Sequence, residues 1–228
     1  MPKVKTALII GASRGLGLGL AQRLREGGWE VHATVRNPQT ATGLANVGDV
    51  HIETLEMNDP AQLDALKARL QGKLFDLVYI NAGIMSPITD TPQSTAIDAI
   101  GELFMTNVVA PIRVAEAFAG QLCAQGGVLA FMSSALGSVA NPTNNHIRLY
   151  KASKAALNSM INSFIAELQR PEITFIAMHP GWVRTEMGSD QADIDVETST
   201  RGIVEQLNTF AGKGGVHFIN YKGEPIAW

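Results

Sequence analysis

Alternation constrains this chain more than any single residue does. Short apolar, β-rich runs recur at Val4–Ile10, Glu30–Val35, Val50–Leu55, Phe75–Ile80, Gly127–Met132, Ile173–Met178 and Val216–Ile219, with stretches of helical period between them. Leu16, Leu20 and Leu24 fall on one helical face, as do Leu63, Leu66 and Leu70. Strands separated by such crossovers pair in parallel. The runs are apolar at successive positions, so both faces of the sheet must be covered. The pattern predicts an α/β, three-layer, doubly wound fold: a seven-stranded parallel sheet with helices on both faces. No Pro/Ser-rich linker, charge block or repeat divides the chain, which reads as a single domain over residues 1–228. In such sheets ligands sit beyond the carboxyl ends of the strands, so chemistry belongs to the loops after strands one, four, five and six.

Composition narrows the classes. Hydrophobic residues are 46% and charged residues 17%, enough for a core and unlike a disordered chain. A net charge of -3 leaves no basic field for nucleic acid or an anionic membrane. The single cysteine, Cys123, excludes an internal disulfide framework and fits a reducing compartment. The apolar run Thr6–Ile10 stops at Gly11, too short for a signal core or membrane span. These features predict a soluble, cytoplasmic protein. The five histidines are scattered along the chain, and no metal site is expected.

Directly after the first strand runs Gly11-Ala12-Ser13-Arg14-Gly15-Leu16-Gly17, leading into a helix. Glycines there permit a tight turn and let backbone N–H groups approach an anion that the helix dipole favours. A dinucleotide pyrophosphate suits the turn; a purely structural strand-to-helix turn is the plainer alternative. The same letters spell G-x-S-x-G, a hydrolase nucleophile elbow on Ser13 with His179 as partner. Only ten residues precede Gly11, leaving no earlier crossover to supply an oxyanion loop, so the elbow is disfavoured. Strand two ends in Arg36, with no acid until Asp49, where an NAD site would carry a carboxylate. With Arg14 in the turn, two guanidinium groups suit a 2′-phosphate. NADP(H) is therefore favoured over NAD(H), unless both arginines are simply solvated.

After strand five come Ser133-Ser134 and, sixteen positions beyond Ser134, Tyr150-Lys151-Ala152-Ser153-Lys154. Tyr150 and Lys154, four apart, share one helical face. A free phenol titrates near 10, too high for acid–base work at neutral pH, but a neighbouring ammonium favours the phenolate. Tyr150 can then exchange a proton with a carbonyl or alcohol oxygen as hydride moves at its carbon. The Ser134 hydroxyl can steady that oxygen.

Together, Gly11…Gly15…Gly17, Asn81-Ala82-Gly83, Ser134, Tyr150-x-x-x-Lys154 and Pro180-Gly181 stand in the order of the short-chain dehydrogenase/reductase family, which the chain resembles over essentially its whole length. The strings His179–Gly188 and Phe218–Trp228 are similar to its C-factor/sniffer-type carbonyl reductase branch. The resemblance implies a Rossmann fold and a catalytic set Asn107–Ser134–Tyr150–Lys154. In it Asn107 holds a water that links Lys154 to solvent, and Lys154 also bonds the nicotinamide ribose. It implies further that Asn81, Ala82 and Gly83 line the cofactor, that Glu56 and Met57 flank the adenine, and that Pro180, Gly181, Val183 and Thr185 meet the nicotinamide end. An NADP(H)-dependent carbonyl reductase is the expected activity, on an aldehyde or ketone and in an enzyme that pairs as a homodimer. A cofactor-binding signalling protein with little turnover is the rival.

The chain departs from the family at Ile10 and Ile80, where Thr and Asn are usual, and in the long Ser134–Tyr150 loop. There His146 reads either as a surface residue or as a substrate contact. Ile84, Met85, Leu136, Leu149, Trp182 and Met187 suggest an apolar-bodied substrate, with Gly188–Thr200 as a lid or a plain connector.

Overall fold

A computed structural model describes residues 4–85, 91–141 and 146–228. Seven strands form one sheet: β1 (Thr6–Ile10), β2 (Glu30–Val35), β3 (Val50–Thr54), β4 (Leu77–Ile80), β5 (Val128–Met132), β6 (Thr174–His179) and β7 (Gly215–Asn220). Every pairing is parallel, in the order β3-β2-β1-β4-β5-β6-β7. The seven expected strands are all present, with ends shifted by a residue or two. The order reverses between β1 and β4, and a doubly wound sheet opens its ligand crevice at that switch.

Helices α1 (Gly15–Glu26), α2 (Thr42–Ala45), α3 (Pro60–Arg69), α4 (Ile97–Phe104), α5 (Ala110–Phe118), α6 (Arg148–Leu168) and α7 (Val196–Phe210) cover the sheet. Strand residues alternate between two cores. Leu8, Val78, Phe131 and Phe175 face Leu66 of α3, Phe118 of α5 and Ile161 of α6. Ala7, Ile9, Tyr79 and Ile176 face Leu20 and Leu24 of α1, Leu44 of α2 and Ile203 of α7. Burying each such large side chain contributes roughly 1.5–3 kcal/mol, which is why the central strands β1, β4 and β5 carry no polar face, whereas the edge strand β3 is largely exposed. Among the described residues, no helix is long and apolar enough to cross a membrane.

One expectation needs correcting. The histidines are not all scattered: parallel register sets His32 beside His51, 19 positions on, with rings stacked 4.4 Å apart and Glu30 within reach of both. Of Gly188–Thr200, read as a lid or a plain connector, the last five residues belong to α7, which Asp195 caps by accepting the Thr198 N–H at 2.8 Å.

Candidate active site

The glycine turn crosses the carboxyl end of β1. Gly11 has φ +84° and Gly15 φ +55°, which side chains with a Cβ rarely adopt. Gly11 N–H donates to Thr34 Oγ1 at 3.0 Å and Ala12 N–H to Thr34 O at 2.8 Å, stitching the turn to β2. Asn81, just past β4, donates its Nδ2 to Gly11 O at 2.7 Å. A Cβ on Gly17 would stand 2.1 Å from that carbonyl and 2.7 Å from Asn81 Nδ2, so glycine alone lets α1 start this close. No side chain caps the N-terminus of α1, and no acid stands in its first turn. The donors and the positive dipole end are left for an anionic ligand. Leu16 is half-buried.

Ser13 is exposed and, among the described residues, its hydroxyl has no hydrogen-bond partner, while His179 Nδ1 is buried without one. The nucleophile-elbow reading fails here, because no base activates the serine. Both expected phosphate arginines are exposed, yet neither stands alone. Arg14 meets Glu186 at 2.5 Å and Arg36 approaches Glu56 at 4.0 Å. The sequence could not reveal these pairings, because each joins separate loops. Glu56 Oε1 also accepts the Asn58 N–H at 3.2 Å. Met57 is only 5% exposed and packs into the core.

The loop after β4 is held from below by Asn107. Its Oδ1 accepts the Ile84 N–H at 2.8 Å, and its Nδ2 donates to Ile84 O at 2.8 Å and to Ser153 Oγ at 3.1 Å. Asn107 lies in a π-helical turn, Met105–Val109, joining α4 to α5. Pro111 explains the turn: with no N–H it cannot close an α-helical bond to the Asn107 carbonyl four residues back, so the helix widens. Gly83 bridges this group to the lysine, since a Cβ there would lie 3.3 Å from Asn107 Oδ1 and 3.6 Å from Lys154 Nζ. Ala82 is close enough to Gly11 that a Cβ on that glycine would meet its own at 2.8 Å.

Ser134 ends the stretch after β5, accepting the Leu136 N–H at 3.2 Å, and its side chain interacts with the Tyr150 phenol. Lys154 is 4% exposed and donates Nζ to Met132 O at 2.8 Å, with the Tyr150 ring centre 5.8 Å away. Helical spacing alone predicts that this ammonium acidifies the phenol. Instead burial pushes Tyr150 up to about 12, with the Ser134 bond offsetting part of that. Burial likewise brings Lys154 down to about 8. Helical spacing puts the two side chains on one face, but the desolvation that closing the site imposes on both has no signature in spacing.

Three supporting groups escaped the sequence reading. Ser153 Oγ donates to Tyr150 O at 2.7 Å while accepting from Asn107, tying α6 to the π turn. Ser133 Oγ meets Asn158 Oδ1 at 2.6 Å. Gly137 packs so tightly that a Cβ would meet the Lys154 main chain at 2.8 Å. Ser153 and Asn158 lie three residues after Tyr150 and four after Lys154, a signal that helical spacing offered. Ile147 takes a left-handed φ of +54° just before α6, a strain of about 1–3 kcal/mol for a β-branched residue at the mouth of the site. Of the long loop, residues 142–145, including Asn144 and Asn145, lie outside the described residues; His146 is exposed.

Beyond β6, Pro180 O accepts from Ser199 Oγ at 2.7 Å, and Gly181 turns with φ +88°. Val183 is buried and bridges to Ile194, while Thr185 Oγ1 accepts the Gly188 N–H at 3.1 Å. Thr185 reaches the glycine turn, where a Cβ on Gly15 would sit 3.6 Å from its methyl. Trp182 and Met187 are half exposed on this flap.

The sequence pattern described as short chain dehydrogenase matches residues 5–194. The chain belongs to that family. Its fold matches a carbonyl reductase from Pseudomonas aeruginosa PAO1 in complex with NADP, with a TM-score of 0.92, 37% identity and coverage of 99% of this chain and 100% of that one. The carbonyl reductase Sniffer of D. melanogaster is similar at a TM-score of 0.89 and 31% identity, over 99% of this chain and 100% of that one. C-signal of Myxococcus xanthus is 32% identical over 55% of this chain and 76% of its own length. In this short-chain dehydrogenase the residues at the crevice fit a dinucleotide. A Cβ added at Gly11 or Gly17 would press into the glycine turn, and the uncapped end of α1 suits a pyrophosphate.

Proposed function

We propose that this protein is a single-domain NADP(H)-dependent carbonyl reductase, interconverting an aldehyde or ketone and its alcohol. The observation that carries the reading is Tyr150 set beside buried Lys154, whose Nζ lies 5.8 Å from its ring centre, at the crevice the glycine turn opens. Gly11, Ser13, Gly15, Leu16 and Gly17 would cradle the pyrophosphate, Arg14 and Arg36 the 2′-phosphate, and Glu56 with the Met57 main chain the adenine. Asn81, Ala82 and Gly83 would back the ribose, while Pro180, Gly181, Val183 and Thr185 would meet the nicotinamide. Bound NADPH supplies the hydride; the chain supplies binding, orientation and the proton.

In reduction, Tyr150 gives its phenolic proton to the carbonyl oxygen while Ser134 donates a hydrogen bond to that oxygen. A phenol held up near 12 is fully protonated and ready as an acid, and the charge it takes on leaving is what Lys154 offsets. The Asn107 carbonyl, deprived of an α-helical donor by Pro111, would hold the water that reprotonates the pair. Lys154 titrates near 8, so kcat/KM for reduction should fall as pH rises through about 8. In Lys154→Arg, whose cation persists, that fall should move to higher pH; a profile unchanged by the substitution would remove the lysine from the limb.

Arg36→Ala should weaken NADPH binding by roughly tenfold or more while NADH binding stays nearly constant, as expected for losing a charge-assisted contact to a phosphate. Titration of both cofactors checks this, and equal losses would take Arg36 out of the phosphate site. The similarity to C-signal favours a second reading, a nucleotide-binding signalling protein with little turnover. NADPH oxidation across a panel of aldehydes and ketones separates the two: tight binding without turnover on any of them selects the second.

A further inference from the structure

We propose that Glu30, His32 and His51 form a binding site for a divalent ion of the Zn2+ class on the outer pair of strands, β2 and β3. The site is independent of the nucleotide crevice. Parallel register makes His32 and His51 direct neighbours, and Glu30, two residues before His32, shares their face. One donor atom from each residue lies within 4.8 Å of the others, with Glu30 Oε1 3.1 Å from His32 Nε2 and 3.6 Å from His51 Nε2. Zinc takes N and O donors at about 2.0–2.2 Å, so donors around one ion stand roughly 3–4 Å apart. The two rings stack 16° from parallel, so an ion would draw the half-exposed His51 side chain out of that stack until both Nε2 lone pairs converge on it. Two imidazoles and one carboxylate are borderline ligands that suit Zn2+ better than Mg2+ or Ca2+.

A second observation points the same way. His32 is 2% exposed, and its Nδ1 is buried without a hydrogen-bond partner. A neutral ring whose Nε2 meets the Glu30 carboxylate carries its proton on Nε2, so bare Nδ1 faces Glu53 Oε1 at 3.9 Å, acceptor toward acceptor. An ion on Nε2 would send the proton to Nδ1, which would then donate to Glu53. That carboxylate–histidine–metal arrangement orients ligating histidines generally. Arg69 already fixes Glu53 through its other oxygen at 2.9 Å. The competitor is Lys73, whose Nζ lies 2.9 Å from Glu30 Oε1; its side chain is 40% exposed and can retreat to solvent.

An ion here would tie the edge strand to its neighbour and favour the folded chain by mass action. Calorimetric titration of the chelator-treated protein with ZnCl2 should give one ion per chain, and ZnCl2 should raise Tm. His51→Ala and Glu30→Gln should each abolish both effects. Glu53→Gln should keep the stoichiometry and weaken affinity by about 10–100-fold. Absence of binding heat and of any Tm rise in the unaltered protein would overturn the proposal, as would a Zn2+ response that survives in His51→Ala.

Discussion

Tyr150→Phe is expected to lower the rate of carbonyl reduction by about 10²–10⁴-fold, the usual contribution of a positioned general acid. The change deletes one oxygen. Ser134 keeps its bond from Leu136 N–H, and Lys154 keeps Met132 O, so fold and nucleotide affinity should persist. Circular dichroism, NADPH titration and single-turnover NADPH oxidation read the three quantities separately. A variant that binds and turns over normally would show that another group delivers the proton, and the mechanism above would fall. If turnover instead vanishes together with NADPH binding, the phenol serves to build the crevice and not to move a proton.

Gly17→Ala should be the most damaging single-methyl change on the nucleotide side. The added carbon would press to 2.1 Å from Gly11 O and 2.7 Å from Asn81 Nδ2, so either the Asn81–Gly11 bond breaks or α1 moves off the turn. Overpacking of this kind costs about 1–3 kcal/mol in stability, and displacing the helix end also spoils the anion cradle. A lowered Tm and a loss of NADPH affinity are both expected. Asn81→Ala separates the causes, since it breaks the same bond without the clash and should lower affinity less. Gly101→Ala in α4 is the contrast: nothing lies within 4 Å of its added carbon, and alanine favours helix by roughly 0.5–1 kcal/mol, so Tm should hold or rise. Equal behaviour of Gly17→Ala and Gly101→Ala would mean that the close approach of α1 is unimportant.

Much of the molecule was legible without coordinates. The seven apolar runs became seven parallel strands because successive apolar residues can be satisfied only between two helical layers. The glycine turn, Ser134, Tyr150 and Lys154 were found for a related reason: each sits at a strand end or on a helix face whose position follows from local period, whereas Asn81 and Asn107 followed from the resemblance to the short-chain dehydrogenase/reductase family. Local pattern thus determined the elements, their direction and the end of the sheet where chemistry collects.

Tertiary structure decided what depends on partners distant in sequence. Desolvation raised Tyr150 and lowered Lys154 because α6 closes over strand ends, an effect no i to i+4 rule contains. Arg14 met Glu186 across 172 positions, and the π turn aimed Asn107 at the loop after β4. His32 and His51 became neighbours only through register between strands. Periodicity is written along one segment, whereas burial, ion pairing and register belong to two segments at once, and only the folded chain fixes which two.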